Sequence, residues 1–385
     1  MNLRHKDIQP FHVMDILAKA KTMQEQGIDI IHLEIGEPDF ATPEPINKAA
    51  ISAIEDKQCF YTSSLGLKPL REKIAEYYQQ HFDLQTQAEN IVITAGASGA
   101  LLLVLGAILD ANDSIMLAAP GYPCNTNFAK FLDINTCSVE VDETTNYQLS
   151  ADLIKQHWHD GIKAVILASP ANPTGTLIYS DKLREIYQWL EQKEATLIVD
   201  EIYHQLVYDM PVSTALSVSE NIIVINSFSK YYQMTGWRLG WCVVPEKLIA
   251  TMDKLSQNLF LAASTPAQYG ALAAFSPETQ EILQQRRETL KQRRDFLLEA
   301  IKNLGFKVPV KPQGAFYIYA DCSLLTSDSF QFCMDLLQYA HVAITPGIDF
   351  GSNKPEKFVR FSYTQDLLVL KEAINRIKKF ISKNS

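Results

Sequence analysis

The sequence predicts an α/β protein whose mostly parallel central sheet carries helices on both faces, with a smaller α+β domain beside it. Three observations carry that expectation. Short apolar runs recur at 91–94, 114–117, 164–167, 196–199, 222–225 and 240–244. They are apolar throughout rather than alternating, as strands covered on both faces must be. Helical patterns separate several of them, which is how parallel strands are joined.

In chain order, the first 45 residues hold a helical stretch near 13–26 and the extended run Ile31-His32-Leu33-Glu34-Ile35-Gly36. Helical spacing returns at 67–82, 99–109 and 180–192, between or before the buried runs. Residues 277–304 read as a long bridging helix with Arg286, Arg287, Lys291, Arg293 and Arg294 on its exposed faces. Short strands are then expected at 306–310, 315–320, 342–344 and 358–362, before a closing helix from 366 to about 382. This divides the chain into a large α/β domain at 46–280 and a small α+β domain built from 1–45 and 281–385. No internal repeat interrupts it.

Composition narrows the function. The 385 residues carry 35 basic and 44 acidic side chains, a net charge of −9. That balance argues against a nucleic-acid partner, which calls for a basic face. The first thirty residues are too short and too acid-balanced for an attached DNA-binding module, so a transcriptional regulator is disfavoured. No apolar run approaches the ~20 residues that span a bilayer, and residues 1–7 lack the apolar core of a secretion signal. Six cysteines without CxxC spacing read as buried free thiols of a reducing cytoplasm. The pair in His157-Trp158-His159 has no third ligand in view, so a surface loop is expected and no metal site.

The residues just beyond each apolar run are more specific. Ligands of such sheets bind past the carboxyl ends of the strands. The runs deliver, in turn, Ala95-Gly96-Ala97-Ser98-Gly99, Pro120-Gly121-Tyr122-Pro123, Asn172-Pro173-Thr174-Gly175, Asp200-Glu201-Ile202-Tyr203 and Ser227-Phe228-Ser229-Lys230. A lysine at the exit of a buried strand loses its proton more easily than one in water and becomes a nucleophile toward carbonyls. The hydroxyls of Ser227 and Ser229 before it and Arg238 after it suggest a cradle for an anion. Together these point to a lysine bound to a phosphate-bearing carbonyl cofactor.

With Gly36-Glu37-Pro38-Asp39-Phe40, Tyr61, Gly236-Trp237-Arg238-Leu239-Gly240 and Val359-Arg360-Phe361-Ser362, these motifs resemble the fold-type-I pyridoxal-phosphate enzymes. They are most similar to the class I/II aminotransferases of the aspartate and alanine type. The resemblance implies a pyridoxal 5'-phosphate cofactor in Schiff-base linkage to Lys230, which would also move the substrate's proton. It implies that Asp200 pairs with the pyridinium nitrogen, that Tyr203 and Asn172 bond the phenolic oxygen, and that Tyr122 stacks on the ring. The phosphate would sit on the helix starting near Ala97, with Ser98, Ser227, Ser229 and Arg238 around it. Arg360 would grip the substrate carboxylate, helped by Asn172 and the backbone near Gly36. Tyr61 would reach the neighbouring subunit's phosphate, implying a homodimer with shared active sites.

The expected activity is transfer of an amino group from an α-amino acid to a 2-oxo acid in a ping-pong cycle. A carbon–sulfur β-lyase on the same fold is the alternative. Ser98 stands where some acid-specific relatives carry a lysine, and Ala171 where many carry a polar residue. Both departures suggest a pocket less dedicated to acidic donors.

Overall fold

The computed structural model describes Ile8 and residues 11–384. The expectation that residues 1–7 form no leader lies outside the described residues. The first strand is β1 (Ile31–His32). The main sheet comprises β2 (Ile91–Thr94), β3 (Ser114–Ala119), β4 (Asn135–Glu140), β5 (Ile162–Ala168), β6 (Thr196–Asp200), β7 (Ile223–Ser227) and β8 (Gly240–Val243). Their spatial order is β2-β8-β7-β6-β5-β3-β4. Strands β3 to β7 pair in parallel, and β8 alone runs antiparallel to both of its neighbours.

Strict apolarity in these strands reflects two cores. In β6, Leu197 and Val199 enter one apolar core while Ile198 enters the other. In β5, Val165 and Leu167 face the first core, and Ala164 and Ile166 the second. Successive side chains point to opposite faces, so a polar residue in the middle of β5 or β6 would be buried, whereas Lys163 near the start of β5 is exposed. Each large aliphatic side chain so placed contributes about 1.5–3 kcal/mol. Helix Gly96–Ile108 covers the second core, and helix Ser180–Gln192 lays its stripe Leu183, Ile186 and Leu190 on the first.

The remaining strands are β9 (Tyr317–Asp321), β10 (Val342–Ala343), β11 (Thr345–Pro346) and β12 (Phe358–Ser362). An antiparallel sheet of order β11-β12-β9 carries Arg360, and β10 pairs in parallel with β1, tying the two ends of the chain together.

Four expectations need correction. Residues 306–310 form no strand beyond an isolated bridge from Lys307 to Asp321, because Pro309 cannot donate to a ladder. Strand β4 is absent from the expected runs: it lies at the sheet edge, with only Val139 buried, and so lacks the apolar signature. On helix Pro277–Lys302, Arg293 and Arg294 are buried rather than exposed. Arg293 clasps Asp39 with two bonds of 2.7 and 3.0 Å, and Arg294 pairs with Asp209 at 2.6 Å, so neither charge is left bare. Of the six free thiols, Cys242, Cys322 and Cys333 are buried, but Cys59 is exposed. His157 closes a short helix and His159 lies in a surface loop, as expected.

Candidate active site

The carboxyl ends of β2, β3, β5, β6 and β7 lie along one edge of the main sheet. Because β8 runs the opposite way, its first residue also lies on that edge, which returns Arg238 to the neighbourhood of Lys230. A cavity of about 330 Å³ opens there. Its walls include Gly36, Ala97, Ser98, Tyr122, Asn172, Asp200, Tyr203, Ser227, Ser229, Lys230, Arg238 and Arg360. Twelve of the thirteen expected site residues are thus brought together. Tyr61 is the exception: it is 84% exposed and lines no part of this cavity.

Lys230 leaves the turn after β7 and donates from Nζ to the carbonyl oxygen of Gly36 at 2.8 Å. Burial lowers its pKa to about 8, with Arg360 and Arg238 pushing the same way and Glu37 and Asp200 opposing. Asp200 ends β6, and its Oδ1 accepts the Ile202 backbone N–H at 3.0 Å. Burial raises this carboxyl to about 6, partly offset by that hydrogen bond and by Lys230. The Tyr203 hydroxyl lies 3.0 Å from that of Tyr317. Burial pushes the pKa of both phenols up, so both remain protonated donors.

The anion cradle is built from backbone as much as from side chains. Helix Gly96–Ile108 starts without a side-chain cap, leaving its first N–H groups open. Gly96 has φ +72°, and a Cβ there would come within 2.5 Å of an Arg238 guanidinium nitrogen. Gly240 is equally constrained: its Cβ would meet the Ala97 nitrogen at 2.9 Å. Ser227 donates to Ser229 Oγ at 2.9 Å and accepts the Ser229 N–H at 3.0 Å. Open N–H groups, three hydroxyls and one guanidinium form the surroundings an anion requires.

Opposite the cradle, Arg360 on β12 donates to Asn172 Oδ1 at 2.9 Å, to the Glu34 carbonyl at 2.6 Å and to Thr345 Oγ1 at 3.2 Å. Its guanidinium lies over the Tyr317 ring, 4.1 Å from the centroid, while its Nε has no partner among the described residues. Sequence reasoning missed Tyr317, because β9 reads as plain core. A Cβ on Gly36 would stand 1.8 Å from the Tyr317 hydroxyl, so that glycine and tyrosine are matched.

The donor set fits a phosphorylated pyridine aldehyde at every point. Among the described residues no side-chain cation is bonded to the buried Asp200 carboxyl, a lysine is poised near neutrality, and an uncapped helix start faces an arginine. A metal would need clustered ligands, and among the described residues no group of three or more histidine, cysteine or carboxylate side chains could hold one.

Comparison with known proteins agrees. The family model for aminotransferase class I and II matches residues 28–377. The chain is 38% identical to a valine–pyruvate aminotransferase of Mycobacterium tuberculosis, over 97% of both chains. It is 37% identical to a (5-formylfuran-3-yl)methyl phosphate transaminase of Methanocaldococcus jannaschii over the full length of each. A crystal structure of an aminotransferase from Mycobacterium tuberculosis superposes with a TM-score of 0.96 at 37% identity, covering 100% of this chain and 99% of that one. These relatives are transferases, and the lyase alternative is not favoured.

Proposed function

The chain belongs to the class I and II aminotransferase family and is a pyridoxal-phosphate-dependent aminotransferase; from that premise we propose how its own residues divide the work and which donors it takes. The observation that carries the assignment is the convergence of Lys230, Asp200 and Arg360 on one cavity.

When bound, pyridoxal phosphate supplies an aldehyde that receives the amino group and a ring that takes up electrons from the substrate Cα. Ser98, Ser227, Ser229, Arg238 and the N–H groups at Ala97 hold its phosphate. Asp200 holds a proton on the pyridine nitrogen, where an ionised carboxyl favours the charged ring. Tyr203 and Asn172 donate toward its phenolic oxygen, and Tyr122 packs on its face. Arg360 orients the substrate carboxylate, which fixes the Cα–H bond. Lys230 would then move the proton from the substrate Cα to the carbon that bore the aldehyde, and in the reverse direction when the 2-oxo acid is aminated.

The cavity is also lined by Val13, Met14, Leu17 and Ile35. An apolar wall, together with Ser98 in place of a lysine, supports neutral α-amino acids as donors. Phe60 at 76% exposure, with Tyr61, Leu259 and Leu261, leaves an apolar surface that supports a homodimer in which Tyr61 completes the partner's site. Six unpaired thiols support a cytoplasmic location. The division at 46–280 against 1–45 and 281–385 is supported by the β1–β10 pairing.

A donor panel tests the proposal. Each amino acid is added to the holoenzyme without an acceptor, and the cofactor's visible absorption is followed. Neutral donors should convert it faster than aspartate. Conversion by aspartate alone would overturn the donor assignment.

A further inference from the structure

We propose that Glu37, fixed by Thr235, is a positioning residue for Lys230: its carboxylate steadies the positive charge that Lys230 gains on taking the proton from the substrate Cα. This rests on the aminotransferase assignment and adds to it the group that keeps the lysine basic enough for that step.

The segment Gly36-Glu37 is tied to the turn after β7 at two points. Lys230 Nζ donates to the Gly36 carbonyl at 2.8 Å, and the Thr235 hydroxyl donates to Glu37 Oε1. Lys230 and Thr235 belong to one turn, closed by the Gln233 N–H on the Lys230 carbonyl at 3.2 Å. Thr42 adds a third tie, its hydroxyl donating to the Gln233 carbonyl at 2.7 Å. Thr235 is itself held by Arg238, whose Nη1 donates to its carbonyl at 3.0 Å. The Glu37 carboxylate therefore cannot swing away without breaking a bond to the lysine's own turn.

The charges of the cavity single out this residue. Six charged residues contribute to its walls: Glu34, Glu37, Asp200, Lys230, Arg238 and Arg360. Glu34 turns one carboxylate oxygen to His32 at 2.7 Å and keeps the other buried. Arg238 is assigned to the phosphate, Arg360 to the substrate carboxylate and Asp200 to the pyridine nitrogen. Glu37 is left with Lys230. Burial disfavours the ammonium form of that lysine, Arg360 and Arg238 add to the effect, and Glu37 opposes it more strongly than Asp200 does. The rings of Tyr203 and Phe316 lie 6.0 and 5.8 Å from Nζ and bring no full charge.

A free amine is the form in which Lys230 must act. It takes the Cα proton as a neutral base, while the electron pair left behind passes to the cofactor ring. It then gives the proton up to the carbon that bore the aldehyde. Between those two transfers it is an ammonium, which a neighbouring carboxylate stabilises. Glu37 is exposed, so solvent screens the effect and keeps it modest.

The test follows capture of pyridoxal phosphate by the cofactor-free protein against pH, and the single half-reaction of the loaded enzyme with alanine. Glu37→Gln keeps a group that can bond Thr235 and removes the charge, whereas Thr235→Val keeps the charge and removes the tether. In wild type the capture midpoint lies at about 8. Glu37→Gln should lower it by about half a pH unit, as one partly solvated carboxylate would. Thr235→Val should move it the same way by less, and Thr235→Ser should restore it. The half-reaction of Glu37→Gln should slow about two- to threefold at unchanged half-saturation, because a weaker base takes the proton more slowly. Melting temperatures establish that each variant is folded, and Thr235→Val decides alone if Glu37→Gln is not. A midpoint that stays at the wild-type value in the folded variants would overturn the role of Glu37, whatever happens to the rate. Failure of every amino donor with the loaded wild type would instead refute the transferase assignment, and the proton-transfer role with it.

Discussion

Arg360 and Asn172, 188 positions apart in the chain, are joined by a hydrogen bond of 2.9 Å inside the cavity. The amide thus holds the guanidinium in place before a substrate arrives, and the Glu34 carbonyl and Thr345 hydroxyl hold it from the other side. Preorganisation of this kind removes part of the entropic cost of gripping a carboxylate.

Arg360→Lys tests that grip. The charge is kept, but a lysine cannot present two parallel donors. The loss of one charge-assisted bond should lower kcat/KM for amino acids about 10- to 100-fold. Cofactor affinity, measured by absorbance titration, should be unchanged, because Arg360 binds the substrate.

Asp200→Asn should separate function from stability. Burial raises the Asp200 carboxyl to about 6. A carboxyl raised in the folded state contributes stability below its unfolded pKa near 4 and loses it as pH climbs through 6. The cofactor-free variant should therefore be more stable than wild type at pH 8, by about 1–3 kcal/mol, with the gap closing at pH 4. Urea unfolding at the two pH values measures it. Turnover of the loaded variant should fall sharply, since an amide holds no charge against the pyridine nitrogen.

Lys230 should show its lowered pKa in the rate of cofactor capture. The neutral amine is the reactive form, and burial sets its midpoint at about 8. Capture by the cofactor-free protein should rise with pH up to that point and level off above it. A rate still rising at pH 10, as for an ordinary lysine, would show that burial does not act on Nζ as described.

Gly96→Ala should weaken cofactor retention. The residue has φ +72°, and the new methyl would press on Arg238. The backbone strain alone is about 1–2 kcal/mol. Dialysis against phosphate should strip the variant faster than wild type, while Gly106→Ala, in open space on the same helix, should behave like wild type.

The sequence made the sheet and most of the site readable for one physical reason. Strands buried on both faces must be apolar throughout, so their ends are visible as sudden polar residues, and those ends are where ligands bind. Asp200 and Lys230 stand out in this way. Strand β4 does not, because an edge strand with one buried residue looks like a loop. Arg293 and Arg294 mislead because charge on a helix ordinarily means solvent, and their partners Asp39 and Asp209 lie more than eighty positions away. Tyr317 is hidden for a similar reason: its hydroxyl finds Tyr203 only after β9 is folded against the main sheet.

The most direct test of the central claim is the stoichiometry of a single half-reaction. Holoenzyme is mixed with excess L-alanine and no acceptor, and pyruvate and ammonia are quantified against active sites. Amino transfer predicts one pyruvate per site, no free ammonia, and restoration of the original absorption on adding a 2-oxo acid. A cofactor absorption left unchanged by alanine and by every other neutral donor, or, with a cysteine conjugate as donor, pyruvate released beyond one equivalent with matching ammonia, would contradict it.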